Sequence, residues 1–231
     1  MRFPDLSRYR NYDDASIDSD DIQLINSIIG DQNDWISGDS VNILENLFKK
    51  YLSIKYAFSF SHGRVALSAI LKALNLSKDD EVILPAYTCV VVPNSIIFEK
   101  LTPVYCDIEL ETFGLDINKV RTLINSKTKV IIFQHLYGLV SKDYEDIINL
   151  CKDKNIYLVN DVAQSTGAEF RDEKLGIYGT AAMYSMQHSK IISSGNGGIA
   201  ATNDDEIGAR INYLQQQASI KKREYVSSTA L

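Results

Sequence analysis

Short runs of branched or aromatic residues alternate with longer segments of helical period along the chain from Lys55 onward. This alternation is typical of stacked strand–helix units, in which helices cover a mostly parallel sheet. We therefore predict an α/β fold with a mostly parallel seven-stranded sheet flanked by helices. The last two predicted strands have no helix between them, so at least one should run antiparallel. The predicted strands are 56–60, 81–85, 104–108, 130–135, 156–161, 181–186 and 198–202.

Helical periodicity predicts five helices between or after these strands, at 65–74, 90–100, 117–124, 144–152 and 205–217. Ahead of the sheet, apolar residues from Ile22 to Ile29 recur at helical spacing, and Ser40 is placed to cap a second helix that ends near Leu52. We expect both of these helices to pack on the main body. The predicted organisation is an acidic N-terminal arm at 1–20, one large domain at 21–217 and a polar C-terminal tail at 218–231.

Composition argues against several classes of function. The 231 residues carry a formal charge of -6, which disfavours a nucleic-acid surface because phosphate backbones are bound by clustered Lys and Arg. The sequence contains no run of 18 apolar residues, so we expect no membrane crossing. Cys89, Cys106 and Cys151 have no paired spacing, and with the scattered histidines they suggest neither a disulfide framework nor a metal site. We expect free thiols in a cytoplasmic protein.

Three polar segments follow predicted strands, at the edge where open α/β sheets bind ligands. Gly63 precedes a helix whose N–H groups suit a phosphate, although many such loops contain Gly simply to turn. Asp161 ends an apolar strand and needs a donor or a cation there, but by itself it fits a helix cap equally well. Lys190 lies among Ser and Gly, where most lysines are solvated. Together they match pyridoxal phosphate (PLP), which needs a phosphate cradle, an anion beside its pyridine nitrogen and an amine for its aldehyde.

The order and spacing of these segments resemble the DegT/DnrJ/EryC1/StrS aminotransferases, a fold type I family, from about residue 33 to 214. SHGRVAL at 61–67 is similar to the family's SGTAAL loop, and DDEVILPAYT at 79–88 is similar to its GDEVIVPSFT segment. PVYCDI at 103–108 and HLYG at 135–138 also look like family signatures. The most specific features are DVAQ at 161–164, Ser185 followed five residues later by Lys190, and the glycine pair at 197–198.

The resemblance implies roles for individual residues. Lys190 is expected to hold PLP in a Schiff base and then to shuttle a proton, and Asp161 to pair with the protonated pyridine nitrogen. Gln164 is expected to approach the phenolic oxygen of the cofactor. The phosphate is expected to be bound by backbone groups of Arg64 and Val65 in the Gly63 loop and by the Ser185 hydroxyl.

Two residues depart from the family pattern. Arg64 replaces a small residue of the phosphate loop, and its added positive charge is compatible with a bound phosphate. Cys89 stands where the family often has an aromatic residue over the cofactor ring, so Tyr87 is the alternative cover. His188 is a weaker candidate, for the mouth of the substrate site.

The resemblance implies an aminotransferase that acts on a nucleotide-linked keto sugar, with glutamate as amino donor, in polysaccharide or secondary-metabolite biosynthesis. Related enzymes that remove water from such sugars have histidine at the Schiff-base position, so Lys190 favours amino transfer. Family members are longer, and we expect their smaller C-terminal domain to be missing here. The alternatives left open are a truncated non-catalytic or regulatory PLP-binding protein and one half of a split enzyme. The expected assembly is a homodimer or a complex with the missing C-terminal half.

Overall fold

The computed structural model describes the backbone of residues 19–30 and 39–229, and the side chains of 19–29 and 39–218. Nine strands lie in this part of the chain: β1 (Tyr56–Phe60), β2 (Glu81–Pro85), β3 (Thr102–Cys106), β4 (Thr128–Gln134), β5 (Tyr157–Asp161), β6 (Glu169–Phe170), β7 (Glu173–Lys174), β8 (Ala181–Ser185) and β9 (Gly198–Thr202). Seven of them form one sheet in the order β1-β9-β8-β5-β4-β2-β3. The other two, β6 and β7, form a small hairpin.

The direction of the strands follows the predicted pattern. Strands β3, β2, β4, β5 and β8 run parallel to one another. Strand β9 runs antiparallel to both β8 and β1, which confirms that one of the last two strands is reversed. Its insertion between them pairs Tyr56 with Thr202, two residues that are far apart in the sequence.

The helices of the described residues are α1 (Ser19–Gly30), α2 (Ser40–Leu52), α3 (Gly63–Ala73), α4 (Val91–Phe98), α5 (Ile117–Leu123), α6 (Tyr144–Lys154) and α7 (Asp205–Thr229). Helices α3, α4 and α7 contribute to the core on one face of the sheet, and α2, α5 and α6 to the core on the other. Successive side chains of a strand point to opposite faces, so Ile131 joins one core and Ile132 the other. Parallel strands covered on both faces are apolar throughout, which explains the continuous branched runs in the sequence.

Several boundaries differ from the predictions. Strand β3 begins and ends two residues earlier than predicted, and α7 continues to Thr229, past the predicted end at 217. Helix α2 begins at Ser40, so Asp39 rather than Ser40 occupies the N-cap position. The β6–β7 hairpin was absent from the prediction because strands of two residues are too short to show an alternating pattern.

The two N-terminal helices pack differently. Helix α2 buries Phe48 and Leu52, as expected for a helix on the main body. The same expectation is wrong for α1, because between 50% and 61% of the surface of four of its apolar residues is exposed: Ile22, Leu24, Ile25 and Ile29. Residues 1–18 of the predicted acidic arm lie outside the described residues.

None of the helices in the described part of the chain combines the length and the apolar character that a membrane crossing needs.

Candidate functional site

A pocket of about 390 Å³ opens at the carboxyl ends of β4, β5 and β8, beside the start of α3. Its volume lies within the range typical of small-molecule and cofactor sites. The pocket brings together residues that are more than 120 positions apart in the sequence. Seven of the residues singled out from the sequence line it: Gly63, Arg64, Cys89, Asp161, Gln164, Ser185 and Lys190.

Asp161 is the last residue of β5, and only 4% of its surface is exposed. One oxygen, Oδ1, accepts a hydrogen bond from the Ala163 backbone N–H at 3.0 Å. Burial raises the pKa of Asp161 to about 6, and the Ala163 bond and the positive charge of Lys190 oppose this rise only in part. No helix follows β5, since the chain continues through turns into the β6–β7 hairpin, so Asp161 does not cap one. Its carboxylate is therefore available to a cationic group in the pocket.

The N-terminus of α3 forms another part of the wall. His62 is its N-cap residue, and Gly63 and Arg64 lie in the first turn, where a helix provides no carbonyl partners for backbone N–H groups. A Cβ atom on Gly63 would lie 3.0 Å from Met183 Sδ and 3.1 Å from Ser185 Cβ. The first turn of α3 and β8 thus approach each other closely enough to leave little space for a side chain at Gly63.

Gly198 extends this close approach to β9. A Cβ atom there would lie 2.4 Å from the Gly63 backbone nitrogen, so only glycine allows β9 to pass directly beside the helix start. Gly197 lines the pocket itself. Gly198 therefore has a steric reason, because it lets β9 approach the start of α3, whereas a side chain at Gly197 would meet Ser194 and Met186 of the same loop.

Lys190 lies in the loop that joins β8 to β9. The loop is fixed by backbone bonds from Met186 N to Gly197 O at 2.9 Å and from Ser194 N to Met186 O at 3.0 Å, and Lys190 N donates to Gln187 O at 2.8 Å. Lys190 is partly buried and lines the pocket, rather than extending into solvent as most loop lysines do. The loop therefore holds an amine opposite the Asp161 carboxylate.

Three residues singled out from the sequence are not part of this wall. The Val65 backbone N–H donates to His62 O at 3.0 Å, a bond within the chain. Tyr87 lies outside the pocket with 53% of its surface exposed, and its hydroxyl lies 3.2 Å from that of Tyr137. His188 is exposed in the β8–β9 loop. Direct roles of these three residues toward a cofactor or substrate stay predictions.

The pocket also includes His62 and Ala163 from the SHGRVAL and DVAQ segments, and residues that the sequence reasoning missed: Gln134, Met183, Gln187 and Ser189. Gln134 is the clearest omission, because it ends β4 at the same edge as Asp161, and its buried Oε1 accepts a hydrogen bond from Thr88 Oγ1. The signal was available, since a polar residue ends an apolar strand at this position.

The pocket fits PLP on three observations. Gln164 Oε1 is buried and has no hydrogen-bond partner among the described residues. The close approach of Gly63, Gly198 and Ser185 forms a cradle with backbone donors that suits a phosphate. A carboxylate and an amine line the same cavity, which are the groups that a pyridine nitrogen and an aldehyde require.

Comparison with known proteins agrees with this geometry. The model of the DegT/DnrJ/EryC1/StrS aminotransferase family matches residues 15–230. The chain belongs to this family. The fold type I architecture predicted from the sequence is confirmed by similarity to solved structures. One of them is the GDP-4-keto-6-deoxy-D-mannose-3-dehydratase of Escherichia coli with bound hydrated PLP, with a TM-score of 0.77 and 26% identity over 84% of this chain and 51% of that one.

Two relatives show the range of the similarity. GDP-perosamine synthase of Caulobacter vibrioides is 35% identical over 83% of this chain and 52% of its own length. The L-glutamine:2-deoxy-scyllo-inosose aminotransferase of Streptomyces fradiae is 32% identical over 73% of this chain and 39% of its own length. The chain thus spans about half the length, or less, of these curated relatives.

Proposed function

We propose that this chain is the PLP-binding part of a sugar aminotransferase, which transfers an amino group from glutamate to a nucleotide-linked keto sugar in cytoplasmic biosynthesis. The observation that carries the proposal is the meeting of Asp161, Ser185 and Lys190 with the Gly63 turn in one pocket. The predicted domain at 21–217 contains all of these residues.

The charges of the wall support a phosphate-bearing ligand. Arg64 and Lys190 are cationic, whereas Asp161 is the carboxylate of the wall. The described acidic residues form no salt bridge with Arg64, so its guanidinium is available to an anion. The first-turn N–H groups and the Ser185 hydroxyl add neutral donors.

Each residue then has a chemical task. When bound, PLP supplies an electron-accepting ring, and the Asp161 carboxylate keeps the ring nitrogen protonated. Nζ of Lys190 would hold the cofactor through its aldehyde and would serve as the group that moves a proton at the substrate carbon. The Gln164 amide would approach the phenolic oxygen of the cofactor. Gln134, tied to Thr88, supports the wall beside Asp161.

Amino transfer is favoured over dehydration because a lysine lines this pocket at position 190. A lysine amine would both hold the cofactor aldehyde and move the proton that amino transfer requires. The chain spans about half the length of its curated relatives, and a complete cycle is expected to need a second copy of the chain, a complementary chain, or both. The alternative of a non-catalytic PLP-binding protein makes a different prediction, since glutamate would then leave the bound cofactor unchanged.

The experiment begins with the purified chain loaded with PLP. We expect a visible absorption band, and after borohydride reduction and digestion the cofactor should be attached to Lys190 in the mass spectrum. Lys190→Ala should lose both signals, whereas Lys72→Ala, an exposed lysine on α3, should retain them. A reduced cofactor attached to another lysine in the parent protein would refute the assignment.

The second step separates an aminotransferase from a cofactor-binding protein. Adding glutamate to the loaded chain should replace the visible band with the near-ultraviolet band of the amine form, in a single turnover. A cofactor spectrum that stays constant at saturating glutamate, with Lys190 still modified, would favour the non-catalytic alternative.

A further inference from the structure

Three exposed aromatic rings form a cluster beside the cofactor pocket. We call Tyr87, Phe113 and Tyr137 the aromatic platform. The ring centroids of Tyr87 and Phe113 are 6.3 Å apart, and those of Phe113 and Tyr137 are 6.5 Å apart in an edge-to-face arrangement. The exposed fractions are 53% for Tyr87, 37% for Phe113 and 46% for Tyr137. Rings that contact one another at these distances but keep much of their surface in solvent offer π faces to a ligand.

Two of the three rings are held by strained backbone. Phe113 has φ +60° and Tyr137 has φ +56°, in the left-handed region that bulky residues rarely adopt. Tyr137 shares its turn with Gly138, whose φ is +75°, and Leu139 N closes the turn on Leu136 O at 2.8 Å. Asn or Gly would fit the Tyr137 position with less strain. Strain of this kind persists where the surrounding structure enforces it, and it is most common at functional sites.

A buried carboxylate enforces the conformation of the Phe113 loop. Glu109, with 6% of its surface exposed, accepts hydrogen bonds from the backbone N–H groups of Glu111, Thr112 and Gly114 at 2.8 to 3.2 Å. The Thr112 hydroxyl donates to the same carboxylate. Glu109 N also donates to Gly114 O at 2.9 Å, which closes the loop. Phe113 is therefore presented by a rigid loop.

The Phe113 loop packs directly on the segment that follows Tyr137. A Cβ atom on Gly114 would lie 2.3 Å from both Cβ and Oγ of Ser141, so the two segments touch through backbone and a small side chain. The Ser141 hydroxyl lies 3.5 Å from Glu109 Oε1. The two strained aromatic residues are thus fixed relative to each other.

Hydrogen bonds join the aromatic platform to the wall of the pocket. Thr88, next to Tyr87 in the chain, donates to Gln134 of the wall. Gly138 N, next to Tyr137, donates to Ser165 Oγ at 3.2 Å, and this hydroxyl donates to His135 O at 2.6 Å. Ser165 directly follows the wall residue Gln164. A ligand that leaves the pocket at this edge therefore meets the platform at a fixed position.

We propose that the aromatic platform is a subsite that stacks against the nucleobase of a nucleotide-bearing substrate. This inference rests on the proposed function, because it places the sugar at Lys190 and the nucleotide outside the pocket. The relatives leave the substrate class undecided, since one is named for a GDP-linked sugar and another for 2-deoxy-scyllo-inosose. Adjacent exposed π faces suit a planar heterocycle, and stacking of this kind tolerates every base.

The test uses the PLP-loaded chain with GDP, UDP and ribose 5-phosphate as probes. Saturation-transfer NMR reports which ligand protons contact the protein, and calorimetry gives the affinity. Phe113→Asn and Tyr137→Asn remove a ring while relieving the left-handed strain, so both variants should fold at least as well as the parent. The matched control is Phe98→Ala, which removes an aromatic residue that is 79% exposed at the end of α4.

We expect GDP or UDP to bind at least fivefold more tightly than ribose 5-phosphate, with the strongest transfer to base protons. Each Asn variant should weaken that binding about fivefold or more, whereas Phe98→Ala should leave it unchanged. Nucleotide binding that neither exceeds that of ribose 5-phosphate nor falls in the Asn variants would overturn the proposal. The proposal would also be overturned if the Asn variants changed only the molecular mass measured by light scattering, because the rings would then form a contact between two copies of the chain. If the proposed function were wrong, the PLP-loaded parent protein would lack the cofactor linked to Lys190. The Asn variants should keep this linkage, so the two failures can be distinguished.

Discussion

Two buried carboxylates in this protein have opposite environments. Asp161 in the pocket receives a hydrogen bond from one backbone N–H group, and burial raises its pKa to about 6. Burial acts in the same direction on Glu109, but the hydrogen bonds from Thr112, Glu111 and Gly114 outweigh it and lower the pKa of Glu109 below its usual range. The two side chains are almost equally buried, at 4% and 6% exposure. Asp161 has one donor and its desolvation prevails, whereas Glu109 has several donors whose combined effect exceeds its desolvation.

This difference separates a carboxylate that stabilises the fold from one that serves a ligand. Glu109 has its acceptor capacity filled by the chain and fixes a loop. Desolvation destabilises the charged form of Asp161, and hydrogen bonds from the chain offset this only in part. A cationic group that binds in the pocket would therefore be stabilised by the Asp161 carboxylate.

The largest expected effect comes from Asp161→Asn. Without its anion, the ring nitrogen of bound PLP loses its charge partner, and the single-turnover rate with glutamate should fall about tenfold to a hundredfold. In the protein without PLP, the same substitution should raise the stability of the fold. The difference between 3.8 and about 6 in the pKa corresponds to about 3 kcal/mol, so at pH 7 the variant without PLP should be more stable by up to that amount. Stopped-flow absorbance and urea unfolding measure the two effects, and a variant that loses both rate and stability would contradict the comparison.

The stability difference between the parent and Asp161→Asn should depend on pH. Because the folded pKa of Asp161 is raised, its favourable contribution is fully present below 3.8 and is lost as the pH rises through about 6. The two ligand-free proteins should therefore have similar stability near pH 3.8 and diverge up to pH 7. Burial lowers the pKa of His135 to about 4, but His135 is common to both proteins and cancels in the difference. Urea unfolding at intervals of half a pH unit would show this, and a constant difference would count against a buried ionised Asp161.

Glu109→Gln should have the next largest effect, on the stability of the fold and of the Phe113 loop but not on PLP binding. The substitution removes the charge from several hydrogen bonds in a buried place, so the free energy of unfolding should fall by about 1 to 3 kcal/mol at pH 7. Because the folded pKa of Glu109 is lowered, this contribution is present above 4.5 and is lost as the pH falls through the lowered value. The affinity for PLP should stay within about twofold, measured by absorbance titration. A large loss of cofactor with unchanged stability would reverse the roles assigned to the two acids.

The smallest effect is expected from Lys142→Gln. Lys142 Nζ lies 3.9 Å from Glu109 and 2.8 Å from the exposed Glu111. If the N–H donors satisfy Glu109, removing this solvated cation should leave the urea midpoint unchanged within error. A shift as large as that of Glu109→Gln would mean that the ion pair, rather than the backbone donors, stabilises the loop.

Much of this architecture could be predicted from local sequence. The alternation of branched runs and helical periods gave the seven strands of the main sheet to within about two residues, and Asp161, Ser185 and Lys190 were placed at strand ends or loops that meet in one pocket. Other features had no local signal. The exposure of α1 shows that an amphipathic pattern gives the apolar side of a helix but not what covers it. The two-residue strands of β6 and β7 are shorter than the period of any pattern.

The sequence by itself determined which residues could carry the chemistry and at which ends of the strands they lie, because side-chain periodicity is a local property of the chain. Only the tertiary structure decided which of them meet. Strand β9 enters between β1 and β8, and this pairing of distant segments brings Gly198 against the start of α3. The tertiary structure also decided that Gln134 joins the pocket wall while Tyr87 does not. It likewise decided that the Asp161 carboxylate has few hydrogen-bond donors and the Glu109 carboxylate has many. Such outcomes depend on contacts between segments far apart in the chain, which no local pattern encodes.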